Sequence, residues 1–121
     1  MHAMKRTDKG YLGFGEIYFS WIEPGVVKAW KCHQCMTLNL VVPLGEVRFV
    51  FHLLEQEDNF RVENIGEKRY VRLTVPPGIW FGFQARGSVQ SLLMNMADMA
   101  HDPDEVLRKS ASEFNYNWCT K

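Results

Sequence analysis

The sequence lacks several features that would each point to a class of function. No apolar run approaches the roughly eighteen residues that a membrane-crossing helix needs. The basic start MHAMKRTDKG is followed by no apolar core of the kind a secretion signal carries, so the chain reads as cytoplasmic. Neither sign of charge is in excess: 14 Lys and Arg balance 14 Asp and Glu, and no global field favours nucleic acid or an anionic membrane. Any anionic ligand must therefore be gripped by local basic groups. Cysteine is scarce and odd in number, with 3 residues, which reads as reduced thiols rather than a disulfide framework. Helical periodicity is nearly absent before the C-terminal stretch, and there are no repeats, linkers or low-complexity segments.

What is present is a series of short β-rich runs. Glu16–Trp21, Val26–His33, Thr37–Val42, Glu46–Leu54, Arg69–Val75, Ile79–Gln84 and Val89–Asn95 read as strands, parted by Glu23-Pro24-Gly25, Pro43-Leu44-Gly45 and Pro76-Pro77-Gly78. The polar stretch Gln56–Lys68 reads as a loop. Pro103–Lys109 reads as a short helix, with proline in its first turn and acids ahead of bases. The expectation is one all-β domain over 1–121, a sandwich or barrel, with a flexible arm at 1–12 and a C-terminal helix and tail at 103–121.

The stretch WKCHQC, Trp30–Cys35, invites a metal or redox reading. A structural zinc site needs four closing ligands, but no second CxxC exists, and Cys119, His52 and His101 stand singly. A redox CxxC would open a helix in a βαβ unit, which is not seen. The alternative is a pair of incidental thiols pointing to opposite faces of a strand.

A longer window is similar to the first motif of the cupins, G-x5-H-x-H-x4-E-x6-G, running from Gly25 to Gly45; Pro76-Pro77-Gly78 falls at the turn of the second motif. In that register the ligand positions of a metal cupin hold Lys31, His33, Leu38 and Phe81, so no metal is expected. A metal cupin with a borrowed ligand is disfavoured by Leu38 and Phe81, which offer no lone pairs.

Further stretches carry a more specific resemblance: Phe14–Trp30, Val41–Val50, Tyr70–Phe83, Leu92–Asn95, Asp102-Pro103 and Asn115–Trp118. Through them the chain resembles the dTDP-4-dehydrorhamnose 3,5-epimerase-like cupins from about Gly13 to Trp118. The resemblance implies a double-stranded β-helix, no metal, no organic cofactor, a homodimer, and a dTDP-linked 4-keto-6-deoxy sugar as small-molecule partner. It also implies proton abstraction beside a ketone, in surface-polysaccharide or deoxysugar biosynthesis. Carried over by position, however, the family's base histidine falls at Lys31, its oxyanion lysine at Leu38, its acid tyrosine at His101 and its second-motif histidine at Phe81. Lys28 keeps the charge of the family's arginine.

The candidate catalytic residues are therefore His33, Lys31 and His101. His33 shares a strand face with Lys31 and is the remaining base candidate, against a histidine simply satisfied at the core or rim. Lys31 is an anion contact, or a base if burial or a neighbouring cation depresses its pKa. Candidate substrate contacts are Lys28, Tyr18, Tyr70, Trp30, Trp80, Phe81 and Arg72. For the aromatics the alternative is core packing; for Arg48, Arg69 and Arg72 it is an outward solvated face. Two functions stay open: an epimerase or isomerase of a nucleotide-linked keto sugar, and a catalytically silent module that binds a sugar nucleotide or a partner.

Overall fold

The computed structural model describes residues 1–53 and 59–120. Among the described residues nine strands and one 3-10 turn follow in order: β1 Glu16–Ile22, β2 Val27–His33, β3 Leu38–Leu44, β4 Glu46–His52, β5 Phe60–Gly66, β6 Leu73–Val75, β7 Trp80–Arg86, β8 Ser91–Ala97, the turn Pro103–Glu105, and β9 Val106–Arg108. Every strand pairing is antiparallel, in two sheets ordered β1-β8-β3-β6 and β5-β4-β7-β2-β9. The two sheets close face to face into a double-stranded β-helix, as the resemblance implies. Among the described residues no helix is long and apolar enough to cross a membrane.

The core lies between the sheets and follows from period-two alternation. Val47, Phe49 and Phe51 of β4 meet Phe81, Phe83 and Ala85 of β7, with Leu38, Leu40 and Val42 of β3 opposite. The Pro-Pro-Gly segment makes the expected turn before β7, with Gly78 at φ 89°. Its amide donates to the His33 carbonyl at 2.8 Å, which ties this turn to the end of β2.

Two sequence expectations are corrected. Within the presumed loop Gln56–Lys68, residues 60–66 form β5, paired in full with β4 from His52↔Phe60 to Glu46↔Gly66; residues 56–58, and Leu54 at the end of the run assigned to β4, lie outside the described residues. Its charged letters hid it because β5 is an edge strand, and Arg61 and Asn64 are free to face water. The helix expected over Pro103–Lys109 is a single 3-10 turn, capped by Asp102, whose side chain accepts from the Asp104 amide at 3.0 Å. The chain then extends as β9 because an open β2 edge offers ladder partners: Lys31↔Arg108, Cys32↔Leu107 and His33↔Val106. A β-branched Val106 suits that strand better than a helix.

A β-bulge on β2 shapes everything that follows. Lys28 pairs with Phe83 and Lys31 with Phe81, so two residues, Ala29 and Trp30, oppose Gly82. A Cβ on Gly82 would come within 2.5 Å of the Ala29 Cβ, so glycine makes the room the bulge needs. On a regular strand Lys28 and Lys31, three residues apart, would point to opposite faces. With the bulge, both line the interior, and Trp30 is turned outward.

On the outer face, Trp30, Cys32, Val50 and Trp80 form a second cluster beneath Phe60, Phe114, Tyr116 and Trp118. The C-terminal tail is thus a roof over the five-stranded sheet, fastened where Trp30 Nε1 donates to the Ala111 carbonyl at 3.2 Å. Arg48, expected on a solvated face, is buried under the same roof, its Nη1 donating to the Thr120 carbonyl at 2.6 Å.

Candidate active site

Three adjoining depressions, of about 280, 400 and 200 Å³, share Lys31 and Arg108 and together make one cleft into the barrel. Its walls come from β1, β2 and β9, which border the same open side of the two sheets. The strand β1 turns its polar residues inward: Glu16, Tyr18 and Ser20 line the cleft, while Ile17, Phe19 and Trp21 face out. The usual alternation is inverted here because the interior at this end is an open cavity rather than a packed core.

At the cleft floor His33 and Glu105 form a buried pair, each about 5% exposed. His33 Nδ1 is hydrogen-bonded to Glu105 Oε1. The other carboxylate oxygen accepts from the Cys35 and Met36 amides at 3.0 and 3.1 Å. Burial pushes the Glu105 carboxyl up, but the His33 bond and the two amides outweigh it and hold the group below its ordinary range. With an ionised acceptor at Nδ1, that nitrogen donates its proton, and in the neutral imidazole it is Nε2 that holds the lone pair. Nε2 is buried and has no hydrogen-bond partner among the described residues. Such a pairing can orient an imidazole for general-base work.

Around it stand an acid candidate and cations. Asn95 Nδ2 donates to the Tyr18 hydroxyl at 3.1 Å, which leaves the phenolic proton available to a substrate. Burial, then repulsion from Arg108 and Lys28, push the half-buried Lys31 ammonium down to about 8, against an opposing pull from Glu105. Lys28, Lys31, Arg108 and Lys109 line the first depression, and no carboxylate is among the described residues that line it, a setting that suits an anion.

Of the residues singled out from sequence, His33, Lys31, His101 and Tyr18 come together in the largest of these depressions, and Lys28 and Phe81 join Lys31 in the inner one. The rest go elsewhere. The Trp30 and Trp80 rings belong to the outer cluster, although Trp30 borders the first depression. Tyr70 lies in the connection between β5 and β6 and does not line the cleft. Arg72 is held by the N-terminal arm, donating to Asp8 at 3.1 Å and to the Lys9 carbonyl at 2.9 Å, and it lines a separate depression of about 250 Å³.

Sequence reading missed Glu105, Arg108, Glu16 and Asn95. Glu105 had no local signal that set it apart from Asp102 and Asp104; Arg108 was hidden inside an expected helix. Of the two cysteines in WKCHQC, Cys32 is buried on the outer face, where burial raises its thiol pKa, and Cys35 is exposed in the turn after β2. Among the described residues no three His, Cys, Asp or Glu side chains are placed to hold a metal ion. Leu38 and Phe81 both line the inner depression, so the interior positions at issue in the metal question hold apolar side chains.

No family model matches the chain. It is 25% identical over 125 residues to the spore coat polysaccharide biosynthesis protein SpsL of Bacillus subtilis (strain 168), covering 96% of this chain and 83% of SpsL. It is 31% identical over 96 residues to the probable low-salt glycan biosynthesis epimerase Agl13 of Haloferax volcanii, covering 73% of this chain and 62% of Agl13. The crystal structure of a dTDP sugar isomerase from Desulfovibrio desulfuricans G20 superposes with a TM-score of 0.89 at 31% identity, covering 97% of this chain and 79% of that one. By that identity over nearly its whole length, and by the barrel it shares, the chain belongs to the dTDP-4-dehydrorhamnose 3,5-epimerase-like family of sugar-nucleotide epimerases and isomerases.

Proposed function

We propose that the protein is an epimerase or isomerase of a nucleotide-diphosphate 4-keto-6-deoxy sugar, serving polysaccharide or deoxysugar biosynthesis. The observation that carries this reading is His33, oriented by Glu105, its buried Nε2 without a hydrogen-bond partner among the described residues, on the wall of a cleft that also holds Lys31, Tyr18 and Arg108. A ketone acidifies the C–H bonds on its neighbouring carbons, because the electron pair left behind delocalises onto oxygen. His33 Nε2 takes that proton. Cations beside the carbonyl stabilise the developing charge, and Tyr18 returns a proton to carbon from another wall. Lys28, Arg108 and Lys109 suit the diphosphate. His101, exposed at the rim, is a contact for the substrate's outer portion.

The reaction proposed needs no metal. Neither Leu38 nor Phe81 can ligate an ion, and the Lys31 ammonium would repel one. Prolonged treatment with a strong chelator is expected to leave the rate unchanged.

The same proposal includes a homodimer. Ile17, Phe19 and Trp21 are 45%, 59% and 55% exposed on the outer face of edge strand β1. So apolar a stripe on an edge favours a second copy over water. Light scattering at micromolar concentration is expected to give twice the chain mass.

The decisive test follows solvent deuterium into C3 and C5 of dTDP-4-keto-6-deoxyglucose by NMR. Incorporation catalysed by the protein and lost in His33→Gln is the expected result. Saturable binding with no incorporation would replace this function with that of a silent sugar-nucleotide binder.

A further inference from the structure

Lys31 stands in the barrel interior without an anion of its own. Its Nζ lies 5.5 Å from the centroid of the Phe81 ring, and Arg108 and Lys28 line the same cavity. Among the described residues its ammonium makes no ion pair. Glu105 attracts it, but both oxygens of that carboxylate are already committed to His33 and to the Cys35 and Met36 amides. Cations and an aromatic wall around a half-buried lysine are the conditions that turn an ammonium into a nucleophilic amine. The depressed pKa of about 8 agrees with that geometry. Leu38 and Phe81, which share the cavity, have no charge to offer an enolate oxygen.

We propose that Lys31 forms a covalent imine with the ketone of the substrate, and that the protonated imine is the electron sink for the proton transfer performed by His33. The proposal rests on the keto-sugar function argued above and deepens it. The steps balance without an outside oxidant or reductant. The Nζ lone pair forms a bond to the carbonyl carbon, and the carbonyl oxygen takes up a proton to give a carbinolamine. That oxygen then takes a second proton and leaves as water, so amine, ketone and one proton become iminium and water. His33 Nε2 removes a proton from the adjacent carbon. The C–H electron pair becomes a C=C bond, and the C=N pair moves onto nitrogen as a neutral enamine. Return of a proton to carbon restores the iminium; water adds, the amine leaves, and both ketone and Lys31 are regenerated. A positively charged nitrogen on the reacting carbon takes over the work of a separate oxyanion-stabilising cation.

The test traps the intermediate in the full chain. Protein and dTDP-4-keto-6-deoxyglucose are incubated with sodium cyanoborohydride, and intact mass and peptide mapping are read beside deuterium incorporation at C3 and C5. The expected result is a stable adduct with the mass of the reduced sugar nucleotide on the peptide containing Lys31. It is absent with dTDP-glucose, which has no ketone, and absent in Lys31→Arg. That variant keeps the charge but loses the nucleophile, and its incorporation is expected to fall by about 100-fold or more. Rapid incorporation without any adduct, or incorporation that survives in Lys31→Arg, would overturn the imine and leave the epimerase function standing on His33. An adduct on Lys31 without incorporation would overturn the electron-sink role together with the epimerase function, leaving only a lysine that condenses with the ketone. Neither adduct nor incorporation would overturn both.

Discussion

The two faces of β2 have exchanged their usual roles. The face turned into the barrel carries Lys28, Lys31 and His33, whereas the face turned away from it carries Trp30 and Cys32, both below 5% exposed. In most two-layer proteins the inward face is apolar and the outward face polar, since only one face escapes water. Here a cavity keeps the inner face polar and the aromatic tail residues Phe114, Tyr116 and Trp118 keep the outer face dry. The comparison teaches that the tail and the cavity are one device. A strand lined with cations is held in place by what packs on its back.

The strongest way to break the inner face is to remove the base. His33→Gln is expected to lower deuterium incorporation by about 10²–10⁴-fold, measured by NMR on the keto substrate. Breaking the outer face comes next. Trp30→Ala should cost about 3–5 kcal/mol in denaturant unfolding, because it empties the centre of the cluster formed with Phe60, Phe114 and Trp118. An unfolding midpoint equal to that of the unaltered protein would mean that the tail does not hold β2.

The joint between the two faces is the bulge opposite Gly82. Gly82→Ala drives a methyl against Ala29 and is expected to cost about 1–3 kcal/mol. It should also raise KM for the sugar nucleotide, since the bulge is what brings Lys28 and Lys31 to one face.

Lys31 sharpens the contrast through pH. Its value falls from 10.5 to about 8 on folding, so between those values the unfolded chain binds more protons and stability rises with pH. Lys31→Met is therefore expected to stabilise the protein by about 1–2 kcal/mol at neutral pH, with the gain shrinking as pH rises through that window. Glu105 works with the opposite sign. Its lowered value contributes stability that is present above the ordinary carboxylate range and lost as pH falls through the folded value. Urea unfolding across pH reads both. The smallest effect belongs to Arg69→Ala, which removes an exposed pair with Glu63 at 3.4 Å far from either face of β2. It should shift stability by no more than about 0.5 kcal/mol.

Much of the barrel was legible. The Pro-Gly turns and the short β-branched and aromatic runs Glu46–His52 and Trp80–Arg86 located the strands that wall the core, although both strands are buried on their two faces at almost every position. The segments that failed to show, β5 and β9, are edge strands, where pairing comes from a neighbour and composition is left to water. The site divided in the same way. Lys31 and His33 were visible as two cationic or basic residues on one strand face. Their partners Glu105 and Arg108 were not, since they lie more than seventy residues downstream and meet β2 only through the β9 ladder.

By itself the sequence determined an all-β chain, a family resemblance, and a strand on which Lys31 and His33 stand where a metal cupin places its paired histidines. Tertiary structure alone decided that His33 is backed by a carboxylate, that Trp30 belongs to the outside, and that Lys28 and Lys31 share the cavity. The physical reason is that alternation along a strand is a local rule. A bulge opposite a glycine, a tail laid over a sheet and an edge strand added beside it are all consequences of contact between distant segments, and one inserted residue is enough to reassign which side chains face the substrate.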